Sequence, residues 1–229
     1  TYTATLTPDG DGDVTINVLA DQYTDAAGNG NVASDEFNWI YDSTPPSDFT
    51  TGSVVTTGGT VISGYWNNTN TGADITIPID NESSLTDGTI QIQGRVGSNS
   101  LENLGSVVSI SSINTTQTLS ILFSDVEGLT GYVEGGVLSF TARLSDFSGN
   151  STVGSISSTT LIIDETKPTI TITSAEGVDG FSSYDNTLSL TFTSSESTVD
   201  FVVGDISVTN GTLSSFSGSG TTYTATLTP

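Results

Sequence analysis

Apolar residues recur at every second position along most of the chain, with Thr, Val and Ile carrying the alternation and Gly, Asn, Asp and Ser filling the gaps. That is the period of a half-buried strand, whose side chains point alternately to opposite faces. It predicts strands at residues 3–7 (TATLT), 13–19 (DVTINVL), 36–41 (EFNWIY), 74–79 (DITIPI), 89–96 (TIQIQGRV) and 107–111 (VVSIS). The pattern continues at 118–123 (TLSILF), 137–144 (VLSFTARL), 159–164 (TTLIID), 169–173 (TITIT), 188–193 (LSLTFT) and 206–213 (ISVTNGTL). Only residues 126–132 (VEGLTGY) suit a helical turn. Short strands at such regular spacing, separated by turn residues, predict an all-β chain of antiparallel sandwiches or barrels.

Two internal repetitions organise these strands. Residues 1–8 and 222–229 are the same octapeptide, TYTATLTP, which sets a period of 221 residues. Residues 24–29 (TDAAGN) match 145–150 (SDFSGN), and each is followed by a strand and an Asp-x-Thr-x-Pro turn, DSTPP at 42–46 and DETKP at 164–168. A Pro there removes a backbone donor and stiffens the chain, which suits a junction between domains. The predicted modules are therefore residues 1–44, the end of one domain; 45–164, a complete domain; and 165–229, the beginning of another copy of the first. Overlaying the octapeptides joins the two partial pieces into one sandwich of ordinary length, about 100 residues. The chain is expected to be a window on a long array of alternating modules.

Composition narrows the chemistry. Asp and Glu number 26 against three basic residues, Arg95, Arg143 and Lys167, for a formal net charge of −23. Such a field repels nucleic-acid phosphates and anionic membrane surfaces, and no apolar run approaches the roughly 18 residues a membrane span needs. No nucleic-acid partner and no membrane insertion are expected. With no Cys there is no disulfide and no thiol nucleophile, and with no His there is no imidazole base, no Ser-His-Asp triad and no His-ligated zinc. Lys167 lies beside Pro168 in a linker, which disfavours Schiff-base chemistry. Paired carboxylates of the glycosidase kind remain, but here they lie in turns rather than around a cleft. An enzyme is not expected.

The run SLTFTSSESTVDFVVGDISVTNGTLSSFSGSGTTYTATLTP, joined to DGDGDVTINVLADQYTDAAGNGN, resembles the bacterial immunoglobulin-like repeats of very large secreted surface adhesins. The middle module, with SGYWNNTNTGADITIPI, TIQIQGRV and SDFSGNST, is similar to a sister repeat of Bacteroidota surface proteins. The resemblance covers nearly the whole chain. It implies tandem immunoglobulin-like antiparallel β-sandwich domains, a secreted, cell-surface location, and a structural role as stalk or filament of an adhesin, gliding-motility adhesins among them. The partners implied are neighbouring repeats of the same chain, with a surface or glycan ligand engaged by another part of the protein. A carbohydrate-binding module array is the competing function.

Candidate sites follow from the acidic turns. Residues 9–13 (DGDGD) place oxygens at alternate positions as a calcium loop does, although Ala20 stands where an EF-hand has Glu; an Asp-Gly hairpin turn explains the same residues. In an immunoglobulin-like sandwich the loops at 80–88 and 145–152 share the pole at which the chain enters. That brings Asp42, Asp80, Glu82 and Asp146, with Asn150, to one junction. Asp164, Glu165 and Glu196 are the corresponding groups at the next, and the partner of Asp25 and Asn29 comes from another copy. Calcium would neutralise such carboxylates and stiffen the joint. The alternative is that these Asp and Asn residues form turns, bonding local backbone amides.

Aromatic residues are the other candidates, because exposed Trp and Tyr bind sugars. Aligning Asp42 with Asp164 sets Trp39 on Leu161 and Tyr41 on Ile163, inward positions of a last strand, so both read as core. Tyr65 and Trp66 precede an Asn-rich turn and read as a packed edge rather than a sugar platform. Asp42-Ser43-Thr44 resembles the O-glycosylation motif of Bacteroidota, which would put a glycan on Ser43.

Overall fold

The computed structural model describes residues 2–229. It falls into two compact units, one ending at Glu165 and the other spanning Thr166–Pro229. In chain order the first contains β1 (Gly12–Ile16), β2 (Phe37–Tyr41), β3 (Val54–Thr57), β4 (Tyr65–Asn67), β5 (Gly72–Ile79), β6 (Thr89–Val96), β7 (Glu102–Ser109) and β8 (Thr115–Leu122). A single turn of helix, α1 (Phe123–Glu127), then leads to β9 (Val137–Ser145), β10 (Ser151–Val153) and β11 (Leu161–Asp164). The second unit has β12 (Ile170–Ser174), β13 (Leu188–Thr198) and β14 (Thr212–Thr228).

Residues 45–165 form a sandwich. One sheet has the order β3-β5-β8, the other β4-β11-β9-β6-β7 with β10 paired to β9. Alternation decides which side chains lie between them. Along β5, Ala73, Ile75, Ile77 and Ile79 are buried while Asp74, Thr76 and Pro78 turn outward. From the facing sheet Ile90, Ile92, Leu138, Phe140, Leu161 and Ile163 complete the core. Each such side chain contributes roughly 1.5–3 kcal/mol on leaving water. All strand pairings in this sandwich are antiparallel except β11 with β4, which is parallel and sets Ile163 beside Trp66; an isolated bridge of Thr50 with Ser155 is parallel as well. Trp66 is fully buried and stacks on Phe123, ring centroids 6.0 Å apart.

Polar groups inside are paired locally. The β6–β7 register shifts between Ile90 and Ile92, and buried Gln91 spans the irregularity by donating to the Leu104 carbonyl at 2.9 Å. Buried Thr141 donates to the Gly154 carbonyl at 2.6 Å. The helix starts where the Asp125 carboxylate accepts the Leu122 amide at 3.0 Å, three residues before the expected helical turn begins.

Residues 2–44 contribute nothing to that core, whose first member is Phe49. Their β1 and β2 pair antiparallel as a sheet of two strands, from Gly12 opposite Tyr41 to Ile16 opposite Phe37. The second unit is a single sheet, β12-β13-β14, with Phe192, Tyr223 and Ala225 as its buried hydrophobic residues and Phe201 and Phe216 packed against them.

Three strand expectations change. Residues 2–8 form no strand, although the identical residues 222–228 lie in β14. Residues 206–211 are a turn containing Asn210 at φ 57°, so β14 begins only at Thr212. Three short strands, β3, β4 and β10, arise where the alternation announces none, because β5, β11 and β9 recruit them as ladder partners.

Candidate functional site

The chemistry of the first unit gathers at its internal junction, residues 42–47. From the side of the β1–β2 hairpin, Asp11 reaches the linker. Its Oδ1 accepts the Ser43 amide at 2.9 Å and the Ser43 hydroxyl at 2.8 Å, and its Oδ2 accepts the Thr44 hydroxyl. These bonds, the Thr44 hydroxyl foremost and Ser43 next, hold the fully exposed Asp11 carboxyl below its ordinary pKa. Asp42 closes the turn by accepting the Thr44 amide at 3.1 Å.

From the side of the sandwich, three residues hold the same linker. Asn150 donates its side-chain N–H to the Asp42 carbonyl at 3.1 Å. Thr152 donates its hydroxyl to the Pro46 carbonyl. Glu82 accepts the Ser47 amide on both oxygens, at 3.2 and 3.3 Å. Asn150 is itself fixed by Asp146, which is buried. Its Oδ1 accepts the Asn150 amide at 2.8 Å and its Oδ2 the Asn150 side-chain N–H at 3.0 Å.

The loop that presents Asn150 exists twice. Asp25 to Asn29 repeats its main bonds, with the Asn29 amide on Asp25 Oδ1 at 2.9 Å, its side-chain N–H on Oδ2 at 2.9 Å, and a left-handed Gly28 corresponding to Gly149, and adds the Ala27 amide on Oδ1 at 2.8 Å. Those bonds, the Asn29 side chain's foremost, hold the Asp25 carboxyl below its ordinary range. The Asn side chains also differ in one partner. Asn150 also bonds a linker carbonyl, whereas the side chain of Asn29 bonds only Asp25.

The end of the sandwich fixes the next linker in another way. Glu165 donates its amide to Glu134 at 3.0 Å, and its carbonyl accepts from the Asn68 side chain at 3.2 Å. Its carboxylate accepts the Tyr132 hydroxyl at 3.0 Å. Burial, then the bond to Glu165, pushes the Tyr132 phenol far above its usual range.

The predicted site residues thus divide. Asp42, Glu82 and Asp146 all engage the first junction, directly or through Asn150, whereas Asp80 lends only its carbonyl, to the Asn114 amide at 3.1 Å. Asp164 ends β11 in the first unit and Glu196 lies on β13 in the second. Among the described residues no three carboxylates are grouped as a metal ion would hold them. Apart from the second oxygen of Asp42, the carboxylate oxygens that reach the junction accept amides, hydroxyls or the Asn150 side chain. Loop topology placed Asn150 at this junction, but the linker bonds of Asp11 and Thr152 were not legible in the sequence, because each depends on contacts 32 or more positions away.

Of the aromatics, Trp66 is enclosed, Trp39 is half-buried and Tyr65 is 40% exposed. The Ser43 hydroxyl is engaged by Asp11.

The chain is all-β, built of antiparallel sandwich-like sheets with one parallel strand pair, β11 with β4, in the first unit. Residues 164–229 match the family model of the bacterial Ig-like domain. That stretch comprises β12, β13 and β14 with the linker before them. No curated protein matches the chain. No helix among the described residues is long and apolar enough to cross a membrane.

Proposed function

We propose that this chain is a structural segment of a secreted, cell-surface adhesin, a run of immunoglobulin-like modules that holds an adhesive region away from the cell. The observation that carries the reading is the 42–47 linker, gripped by Asp11 on one side and by Glu82, Asn150 and Thr152 on the other. A linker fixed at four side chains transmits direction from one module to the next, which a spacer needs and a catalyst does not. The match of residues 164–229 to bacterial Ig-like domains supports a repeat-type surface protein. A net charge of −23 supports a filament that repels its own copies. Hydrogen bonds of this kind support the turn-forming alternative for these acidic residues. Gliding adhesins are one setting for such a segment.

The test uses the absence of native cysteine. Spin labels on Thr15→Cys and Thr118→Cys, both exposed positions on either side of the linker, report its stiffness by pulsed dipolar spectroscopy. A narrow distance distribution that broadens in the Asp11→Ala, Asn150→Ala double variant is expected. A broad distribution in the parent chain makes the modules flexible beads and removes the spacer reading.

A further inference from the structure

The sandwich of residues 45–165 has a hollow at one edge of its core. Along β3 the alternation buries Val54 and Thr56 and turns Val55 outward. The cross-strand neighbour of Thr56 is Ala73, the smallest inward residue of β5, where Ile75, Ile77 and Ile79 follow. An Ala at that position leaves the sheet short of a branched side chain, and a cavity of about 300 Å³ lies beside Thr56. Val54 and Thr56 line it from one sheet, and Leu161, on β11, lines it from the other.

A strap of chain borders the same space. β3 belongs to one sheet and β4 to the other, and residues 58–64 cross between them. The strap is tied on both sides of its centre. Thr60 donates its amide to Thr69 Oγ1 at 2.9 Å, and its carbonyl accepts the Asn67 and Asn70 side chains at 2.8 and 3.2 Å. Gly64, left-handed at φ 82°, offers its carbonyl to the Ile162 amide at 2.8 Å. Between these anchors Val61, Ile62 and Ser63 line the cavity, with Val61 50% and Ile62 49% exposed.

The deciding group is the hydroxyl of Thr56. This residue is 3% exposed, and its Oγ1 has no hydrogen-bond partner. Native cores pair nearly all such groups, because a buried hydroxyl left unpaired is destabilising. Thr141, equally buried, has its hydroxyl on the Gly154 carbonyl. Thr56 instead presents one donor and two acceptor lone pairs to a space walled mainly by Val, Ile and Leu side chains.

We infer that this cavity binds a small uncharged molecule, apolar over most of its surface and carrying one hydroxyl that bonds Thr56. The volume is at the lower end of the range for ligand pockets, about 300–1,000 Å³, which sets the size of the molecule. None of the lining residues is charged, so an ionised ligand would be buried without a partner. Water alone suits the space poorly, since each enclosed water needs two to four polar partners and the walls are mainly aliphatic. The site does not depend on the spacer role proposed above.

Benzyl alcohol and ethylbenzene, which has a methyl group where the alcohol has its hydroxyl, test the site by amide NMR titration of the full chain. Benzyl alcohol is expected to give saturable shifts at Thr56, Val61, Ile62 and Leu161, and ethylbenzene should move the same amides. Thr56→Val keeps the shape of the side chain and breaks no hydrogen bond, so the variant should fold as the parent does. In that variant the ratio of the two dissociation constants should shift about tenfold in favour of ethylbenzene, the worth of one neutral hydrogen bond. Absence of saturable shifts at these residues in the parent overturns the inference, and so do shifts confined to other surfaces. An unchanged ratio in Thr56→Val overturns it equally, because the hydroxyl then plays no part in choosing the ligand.

Discussion

The side-chain amide of Asn150 donates to the main-chain carbonyl of Asp42 at 3.1 Å, joining a loop of the complete sandwich to a linker 108 positions earlier. The same side chain is held by buried Asp146. Asn150→Ala is therefore expected to cost about 1–3 kcal/mol, since it leaves Asp42 and Asp146 acceptors unmet in a half-buried setting. Asn29→Ala removes the equivalent exposed side chain, which reaches no linker, and should cost less than about 0.5 kcal/mol. Urea unfolding of the two variants beside the parent measures the difference. Equal costs would mean that the linker contact contributes nothing.

Acid acts on the exposed carboxylates in a defined window. Asp11 and Asp25 have folded pKa values below the ordinary 3.8, so the stability they lend is present above pH 3.8 and is lost as the pH falls through the depressed values. The sign is that of a group bonded in its charged form. Carboxyl carbon shifts of Asp11 and Asp25 followed by NMR should both titrate below 3.8, and Ser43→Ala with Thr44→Val should return Asp11 toward it. Titration of Asp11 at or above 3.8 in the parent contradicts the grip on the linker.

Trp66 and Trp39 make separable fluorescence reporters, as the chain has two tryptophans. Enclosed on Phe123, Trp66 should emit blue-shifted and resist quenching in the Trp39→Phe variant, with no response to added oligosaccharide. Trp66→Ala should destabilise the sandwich by about 3–5 kcal/mol, the range for truncating a buried Trp. A sugar-dependent change in Trp66 emission would restore the carbohydrate-binding alternative.

Calcium and magnesium should act alike on this protein. With a net charge of −23, any divalent cation screens repulsion and raises the unfolding midpoint, whereas a dedicated site favours calcium. Because Asp42, Glu82 and Asp146 already accept amides, the expected result is the same small rise with either ion at equal concentration, reversed by chelator. A calcium-selective rise, abolished by Asp146→Ala, would establish a junction metal site instead.

Much of the fold was legible because strand periodicity is local. Alternation in residues 74–79, 89–96 and 137–144 lies within β5, β6 and β9, whose inward residues form the core. The candidate site was legible only in part. The Asp-x-x-Gly-Asn loops stand out as a repeated motif, and their internal bonds span four residues. What Asn150 reaches outside the loop is decided by how the chain returns to its own linker, and no local signal encodes that.

The octapeptide marks the boundary between the two kinds of information. Sequence by itself determined the all-β class, the acidic surface without His or Cys, the twin loops and the repeated TYTATLTP. Tertiary structure alone decided that these eight residues lie within a strand where β13 supplies ladder partners and an apolar face, and that residues 2–8, without such a partner, form none. A strand's hydrogen bonds are made to another strand rather than within itself, so its local pattern states only a readiness to pair. The pairing partner settles whether Tyr and Ala of that pattern are buried, as Tyr223 and Ala225 are, or left in water, as Tyr2 and Ala4 are.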